Sequence, residues 1–242
     1  MAGNHLNNQE QLVVTWTGEI FQPVRLYYRV HDRNKVEQSF RKMTSMEPEP
    51  DKERWVWLYD GEAKSLKFKN PYSSIPKERH PIILGSFYSV NDNEIYLDVG
   101  SIERATKAVV FFDKRIRRNI AEVCYCAIYN KLIPQSEHPG TNFDKLFAGV
   151  KTDEIESIQM AKLERMATSL KSGNIMGVTQ DRSFELVEAF PCNYYSDGIK
   201  SFDLALQMRQ VVAFKRWQGE DFTLTDAINQ AFSIPGEPQP LH

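Results

Sequence analysis

Apolar and polar residues alternate most cleanly over Val24–Val30, with Val24, Leu26, Tyr28 and Val30 on one side and Arg25, Tyr27 and Arg29 on the other. A period of two is that of a half-buried antiparallel strand. Residues 12–17 (LVVTWT) are rich in β-branched side chains and predict a partner strand, joined to it through a turn at 18–23 to make a hairpin. Residues 55–59 (WVWLY) predict a further strand. Behind it, Asp60-Gly61 is a hairpin signal leading into a weaker return strand at 64–68. Two more strands, 82–89 and 94–99, flank Asn91, Asp92 and Asn93. One helix interrupts this series. Asp32 caps it, it runs to about residue 46, and Val36, Phe40 and Met43 recur at helical spacing. Residues 47–51, two prolines among acids, predict a linker, and 69–81, with three prolines, an ordered loop. The first hundred residues therefore predict about six strands and one helix.

The period then lengthens. Ser101 is a good N-cap, and residues 102–132 predict one long helix or two broken near Asp113. Ile116, Ile120, Val123 and Ala127 form the stripe, and Pro134 is the stop. A turn of helix is predicted at 143–147. Thr152 opens another helix, with Asp153, Glu154 and Glu156 at the positive end of its dipole. Ile155, Ile158, Leu163, Met166 and Leu170 supply its apolar side, and Gly173 its end. Residues 184–190 predict a strand ended by Pro191, 202–217 a helix, and Thr225 the cap of a last helix through Phe232.

This order predicts an α+β fold, a strand-rich antiparallel N-terminal half followed by a helix-rich C-terminal half. The expected units are 10–133, strand-rich and ending in one or two helices, and 152–232, mainly helical and acidic, either separate or merged into one domain. Residues 1–9 and 233–242 are expected to be flexible tails.

The 242 residues are 41% hydrophobic and 12% aromatic, enough to build a core. The formal net charge of −2 excludes a bulk polycation. The charge is uneven, however. Residues 152–242 hold 8 basic against 13 acidic side chains, and the chain totals of 30 and 32 leave 22 and 19 for residues 1–151. A basic front and an acidic back either dock on each other or face different partners. Three cysteines, an odd and sparse count, argue for reduced thiols in the cytoplasm. Cys124 and Cys126, two apart in the predicted helix, face different ways and suit no shared metal. There is no basic and apolar leader, and no apolar run approaches the ~20 residues that span a bilayer, so no membrane partner is expected.

Neither G-x-x-x-x-G-K-[ST] nor G-x-G-x-x-G occurs, so no nucleotide cofactor is expected, nor any other cofactor. There is no G-x-S-x-G, Gly85-Ser86 reads as strand packing, and Cys192 has no nucleophile signature around it. His5, His31, His80, His138 and His242 stand apart, without zinc spacing. No catalytic residue and no metal ligand is assigned. Asp60, Glu62 and Lys64 do form the acid-x-acid-x-Lys run that can hold a divalent ion and steady a water, which keeps a metal-dependent hydrolase or nuclease as the alternative reading. The same residues are also common at turns. Glu185 and Glu188 are predicted to point to opposite faces.

Lys114, Arg115, Arg117 and Arg118 fall within five positions, with Arg104 and Lys107 upstream. If a helix begins at Asp113, these cations oppose its dipole by ~0.3–1 kcal/mol each. In that case they are kept for an anionic partner. A second run holds Lys64, Lys67, Lys69, Lys77 and Arg79 with Tyr72 between. Cations interleaved with rings suit nucleic acid, charge for phosphate and rings for bases. The expectation is a non-catalytic binding subunit or adaptor of an intracellular assembly, with a protein partner. It contacts nucleic acid through Lys114, Arg115, Arg117, Arg118, Lys64, Lys67, Lys69 and Arg79. A solvated face, or acidic C-terminal helices that bind protein, are the competing uses of the same charges.

Overall fold

The structure is a computed structural model and describes residues 10–138, 141–171 and 184–232. Seven strands make one sheet: β1 Val24–Val30, β2 Met46–Glu49, β3 Arg54–Leu58, β4 Ile83–Asn91, β5 Glu94–Val99, β6 Ala121–Tyr129 and β7 Val187–Pro191. They run in the order β2-β3-β4-β5-β1-β6-β7, every neighbouring pair antiparallel. The helices are α1 Arg33–Arg41, α2 Ile102–Asp113, α3 Phe143–Phe147, α4 Thr152–Lys171, α5 Tyr194–Asp197, α6 Ile199–Trp217 and α7 Leu224–Phe232. The fold is α+β, with the strands mostly early and the helices mostly late. Among the described residues no helix is long and apolar enough to cross a membrane.

The main core lies on one face of the sheet, where Leu26, Trp57, Phe87 and Leu97 meet Phe40 of α1, Phe112 of α2 and Leu206 of α6. Phe112 is its hub, with ring centroids 4.8 Å from Phe87 and 5.1 Å from Trp57. A smaller cluster covers the second face, where Tyr27, Ala127 and Phe147 are buried among Tyr96, Tyr125, Phe143 and Val187. Strand β1 is therefore covered on both sides, with only Arg29 exposed, and is not half-buried as its alternation predicts. The polar-side residues Arg25 and Tyr27 are buried because α3 lies over them.

Several expectations are corrected. Residues 12–17 form no strand, only the isolated bridges Leu12–Pro134 and Val14–Ile20, and the partners of β1 are β5 and β6. Asp32 does cap α1, accepting from Lys35 N at 3.1 Å, but the helix stops at Arg41. The acidic proline segment is no linker. It is the edge strand β2, where a proline loses no ladder bond because one side is unpaired. Residues Gly61–Ser65 form a 3-10 turn in place of a hairpin return. Gly61 sits at φ +48, where a Cβ would collide with Thr44, and β3 pairs with β4 across residues 59–82.

The largest correction falls on 102–132. Helix α2 ends at Asp113, residues 114–120 turn, and Ala121–Tyr129 become β6, an inner strand between β1 and β7. A bulge leaves Cys124 without a partner in β1, since Tyr27 pairs with Tyr125 and Tyr28 with Val123. The extra residue shifts the alternation, so Val123, Cys126 and Ile128 all reach the core, a spacing that imitates a helical stripe. Cys124 stays half-buried and Cys126 is buried, which separates the two thiols for a different reason from the one predicted. In α4, Ile155 is buried but Ile158 is 46% exposed. The side chains of Leu163, Met166 and Leu170, together with Gly173 and residues 1–9 and 233–242, lie outside the described residues. The cap of α7 is Thr223, not Thr225. Its Oγ1 accepts from Asp226 N at 3.3 Å while the Asp226 carboxylate accepts from Thr223 N at 2.9 Å, a reciprocal capping box.

Candidate functional site

Because α2 ends at Asp113, the first basic cluster follows a helix C-terminus, where cations suit the dipole and need no partner to justify them. Two of its four members are occupied within the fold. Arg115 donates to Phe111 O at 2.9 Å and lies 3.7 Å over the Phe111 ring, and burial lowers its pKa against the pull of Glu62. Arg118 sits 3.4 Å from Asp113 and 3.9 Å over Tyr195. Lys114 and Arg117 are exposed and form no ion pair among the described residues. Upstream, Arg104 is buried on Glu19 (3.0 Å) and Thr17 (2.7 Å), and Lys107 pairs with Glu103 at 2.9 Å.

The second run is better placed. Its 3-10 turns, Gly61–Ser65, Tyr72–Ser74 and Lys77–Arg79, fold the segment back against the loop before β1. The Lys64 ammonium lies 4.4 Å over the Tyr72 ring, whose edge meets the His80 ring at 4.4 Å. Next to His80, the Arg79 guanidinium lies 4.6 Å over the ring of Trp16. Trp16 is 50% exposed and is held by its own backbone, since Asn70 Nδ2 donates to Trp16 O at 3.1 Å and Asn70 N to Thr17 O at 2.9 Å. Lys67, Lys69 and Lys77 are exposed and form no ion pair among the described residues. Lys64 also pairs with Asp60 at 2.5 Å, which takes it partly out of play. Two cation–ring pairs, Lys64 on Tyr72 and Arg79 on Trp16, are thus linked through His80, and Lys107, upstream of the first cluster, lies 5.1 Å over the buried Phe68 between Lys67 and Lys69.

Trp16 is the member that sequence reasoning misses, because a tryptophan in a β-branched run reads as strand interior. The available signal is Gly18 two residues later, which turns the chain at φ +95 and leaves Trp16 at a loop tip.

The nuclease run is spent on structure. Asp60 accepts from Gly61 N at 2.6 Å and holds Lys64. Glu62 accepts from the backbone N–H groups of Thr44 and Ser45, both at 3.1 Å. Although burial opposes it, these bonds pull its pKa down to about 2. Among the described residues no group of three or more His, Cys, Asp or Glu could hold a metal ion. Glu188 is bound to Arg209 at 2.7 Å, and Glu185 precedes β7 in place of sharing a strand with it. Burial raises the Cys192 thiol to about 12, which leaves it protonated and a poor nucleophile.

A second polar region occupies the other face of the sheet. Arg25 binds Asp98 through Nε (2.7 Å) and Nη2 (2.9 Å), and Asp144 through Nη2 at 2.9 Å. Burial lifts Asp98 to about 6 in spite of Arg25, while for Arg25 the bonds from Asp98 and Asp144 outweigh burial and raise its pKa. The asymmetry has a cause: Arg25 faces two carboxylates, whereas Asp98 faces one cation and the like charge of Asp144.

No protein-family model matches the chain, and no curated protein or solved structure matches it either.

Proposed function

We propose that the protein is a non-catalytic binding subunit that holds single-stranded nucleic acid on the surface built by Trp16, Tyr72 and Arg79 with Lys67, Lys69 and Lys77. The observation that carries this reading is the half-exposed Trp16 ring beneath Arg79; Lys67, Lys69 and Lys77 belong to the same exposed segment and form no ion pair among the described residues. An exposed ring stacks any base, at ~1–3 kcal/mol each, and unpaired cations neutralise phosphates without reading sequence. Lys114 and Arg117 are the remaining unpaired cations of the first cluster and extend the same chemistry. A protein partner is supported by Leu204, Val211 and Phe214, which leave one side of α6 apolar and exposed. Three free thiols suit a cytoplasmic setting.

Fluorescence anisotropy with a labelled oligo-dT tests the reading. Four phosphate contacts, from Lys67, Lys69, Lys77 and Arg79, predict that log K falls with log salt at a slope of about −3. Trp16→Ala weakens binding about fivefold to about 150-fold. Binding that ignores salt, or that survives both Trp16→Ala and reversal of the three lysines to glutamate, refutes it.

A further inference from the structure

We propose that a cleft on the second face of the sheet is a binding site for a small neutral ligand rich in hydroxyl groups, of monosaccharide size. The cleft encloses about 350 Å³ between β3, β4 and β5 and the start of α3, with Arg54, Ser86, Tyr88, Asp98, Phe143 and Asp144 in its wall. It shares no residue with the basic surface, so each proposal stands without the other.

Charge decides what the cleft excludes. Arg25 is taken by Asp98 and Asp144. Arg54 is taken by Glu49 at 2.7 Å, and Arg104 by Glu19. Every guanidinium around the cleft already faces a carboxylate, so nothing there is left to attract a phosphate or carboxylate ligand.

Neutral hydrogen-bonding capacity is what remains. Ser86 is 7% exposed, lies opposite Asp98 in the ladder and lines the cleft, and its hydroxyl has no partner among the described residues. A hydroxyl that opens into the cleft without a protein partner is free to pair with a ligand hydroxyl. Tyr88 Oη accepts from Arg54 Nη1 at 3.1 Å and keeps its own O–H to donate. Asn142 Oδ1 accepts from Lys145 N, leaving the amide N–H groups, and one oxygen of Asp144 accepts from both Arg25 and Tyr96, leaving the other. Free donors and free acceptors side by side match hydroxyls, which do both. The rings of Tyr88 and Phe143 offer apolar surface for the C–H face of a sugar ring, and Tyr88 is held in place by stacking on Tyr96 at 5.2 Å and 25°.

The test is saturation-transfer NMR and calorimetry on the full chain with D-glucose, D-galactose, D-mannose and myo-inositol, against tyramine and inorganic phosphate. At least one polyol is expected to bind saturably, with Ser86→Ala and Tyr88→Ala each weakening it about tenfold. Urea midpoints for both variants check that the fold is kept. The proposal is overturned if none of the four binds at millimolar concentration, if only tyramine or phosphate binds, or if both variants bind as tightly as the parent.

Discussion

Asp98 carries two opposed forces, burial that disfavours its charge and Arg25 that favours it, and burial wins by lifting the carboxyl from 3.8 to about 6. Between about pH 4 and 6 the native chain therefore holds a proton that the unfolded chain has released. The stability contributed by this proton is complete below pH 4 and is lost as pH rises through 6. At about 1.4 kcal/mol per pH unit the effect reaches up to about 3 kcal/mol. Denaturant unfolding from pH 4 to 7 should show the parent losing stability relative to Asp98→Asn across that window, and parallel profiles contradict the assignment. Glu62 runs the other way. Its pKa is depressed to about 2 by the backbone N–H groups of Thr44 and Ser45, so its contribution is present above the ordinary carboxylate range and is lost on acidification. Residues 60, 62 and 64 are chemically legible in the sequence as two carboxylates and a lysine. Their use is not, because only the folded chain brings Thr44 within reach of Glu62.

At the scale of elements, the signals that survive are local ones. Asp32, Ser101 and Asn142 each accept the backbone N–H bond of a helix N-cap, the first two as predicted. The cap of α7 shifts by two residues to Thr223 because the reciprocal partner is Asp226. Thr223→Ala should lower stability by about 1 kcal/mol, read as a lower urea midpoint with unchanged slope, and an unchanged midpoint counts against the cap. Strand β6 fails locally for a physical reason. A bulge at Cys124 places Val123 and Cys126 on one face three positions apart, and a period of three reads as helix. Strand β2 fails because proline among acids resembles a linker, while an edge position tolerates both.

Across the whole molecule, buried ion pairs join distant segments. Glu19, from the loop before β1, meets Arg104 of α2, which also donates to Ile83 O at 3.0 Å on β4. Glu188 of β7 meets Arg209 of α6. Removing one partner leaves an uncompensated buried charge, so Arg104→Met should cost about 3–5 kcal/mol, and the double change with Glu19→Gln should recover a large part of it. Equal losses in the single and double variants would show that Arg104 serves packing alone. If Trp16 reports nucleic acid as proposed, Arg104→Met should also weaken that binding, since its Nη2 holds Thr17 Oγ1 beside Trp16.

The α+β class, the caps at Asp32 and Ser101 and the split between a strand-rich front and a helix-rich back were already determined by the sequence, because alternation and capping act over a few residues. The tertiary structure alone decided which cations stay free. Lys114, Arg115, Arg117 and Arg118 carry the same charge in the sequence, yet a carbonyl and a ring claim Arg115, Asp113 and Tyr195 claim Arg118, and two remain in water. It also decided that Trp16 lies beneath Arg79, 63 positions further along the chain. Charge and exposure are properties of neighbours in space, and a chain read in order does not contain its neighbours.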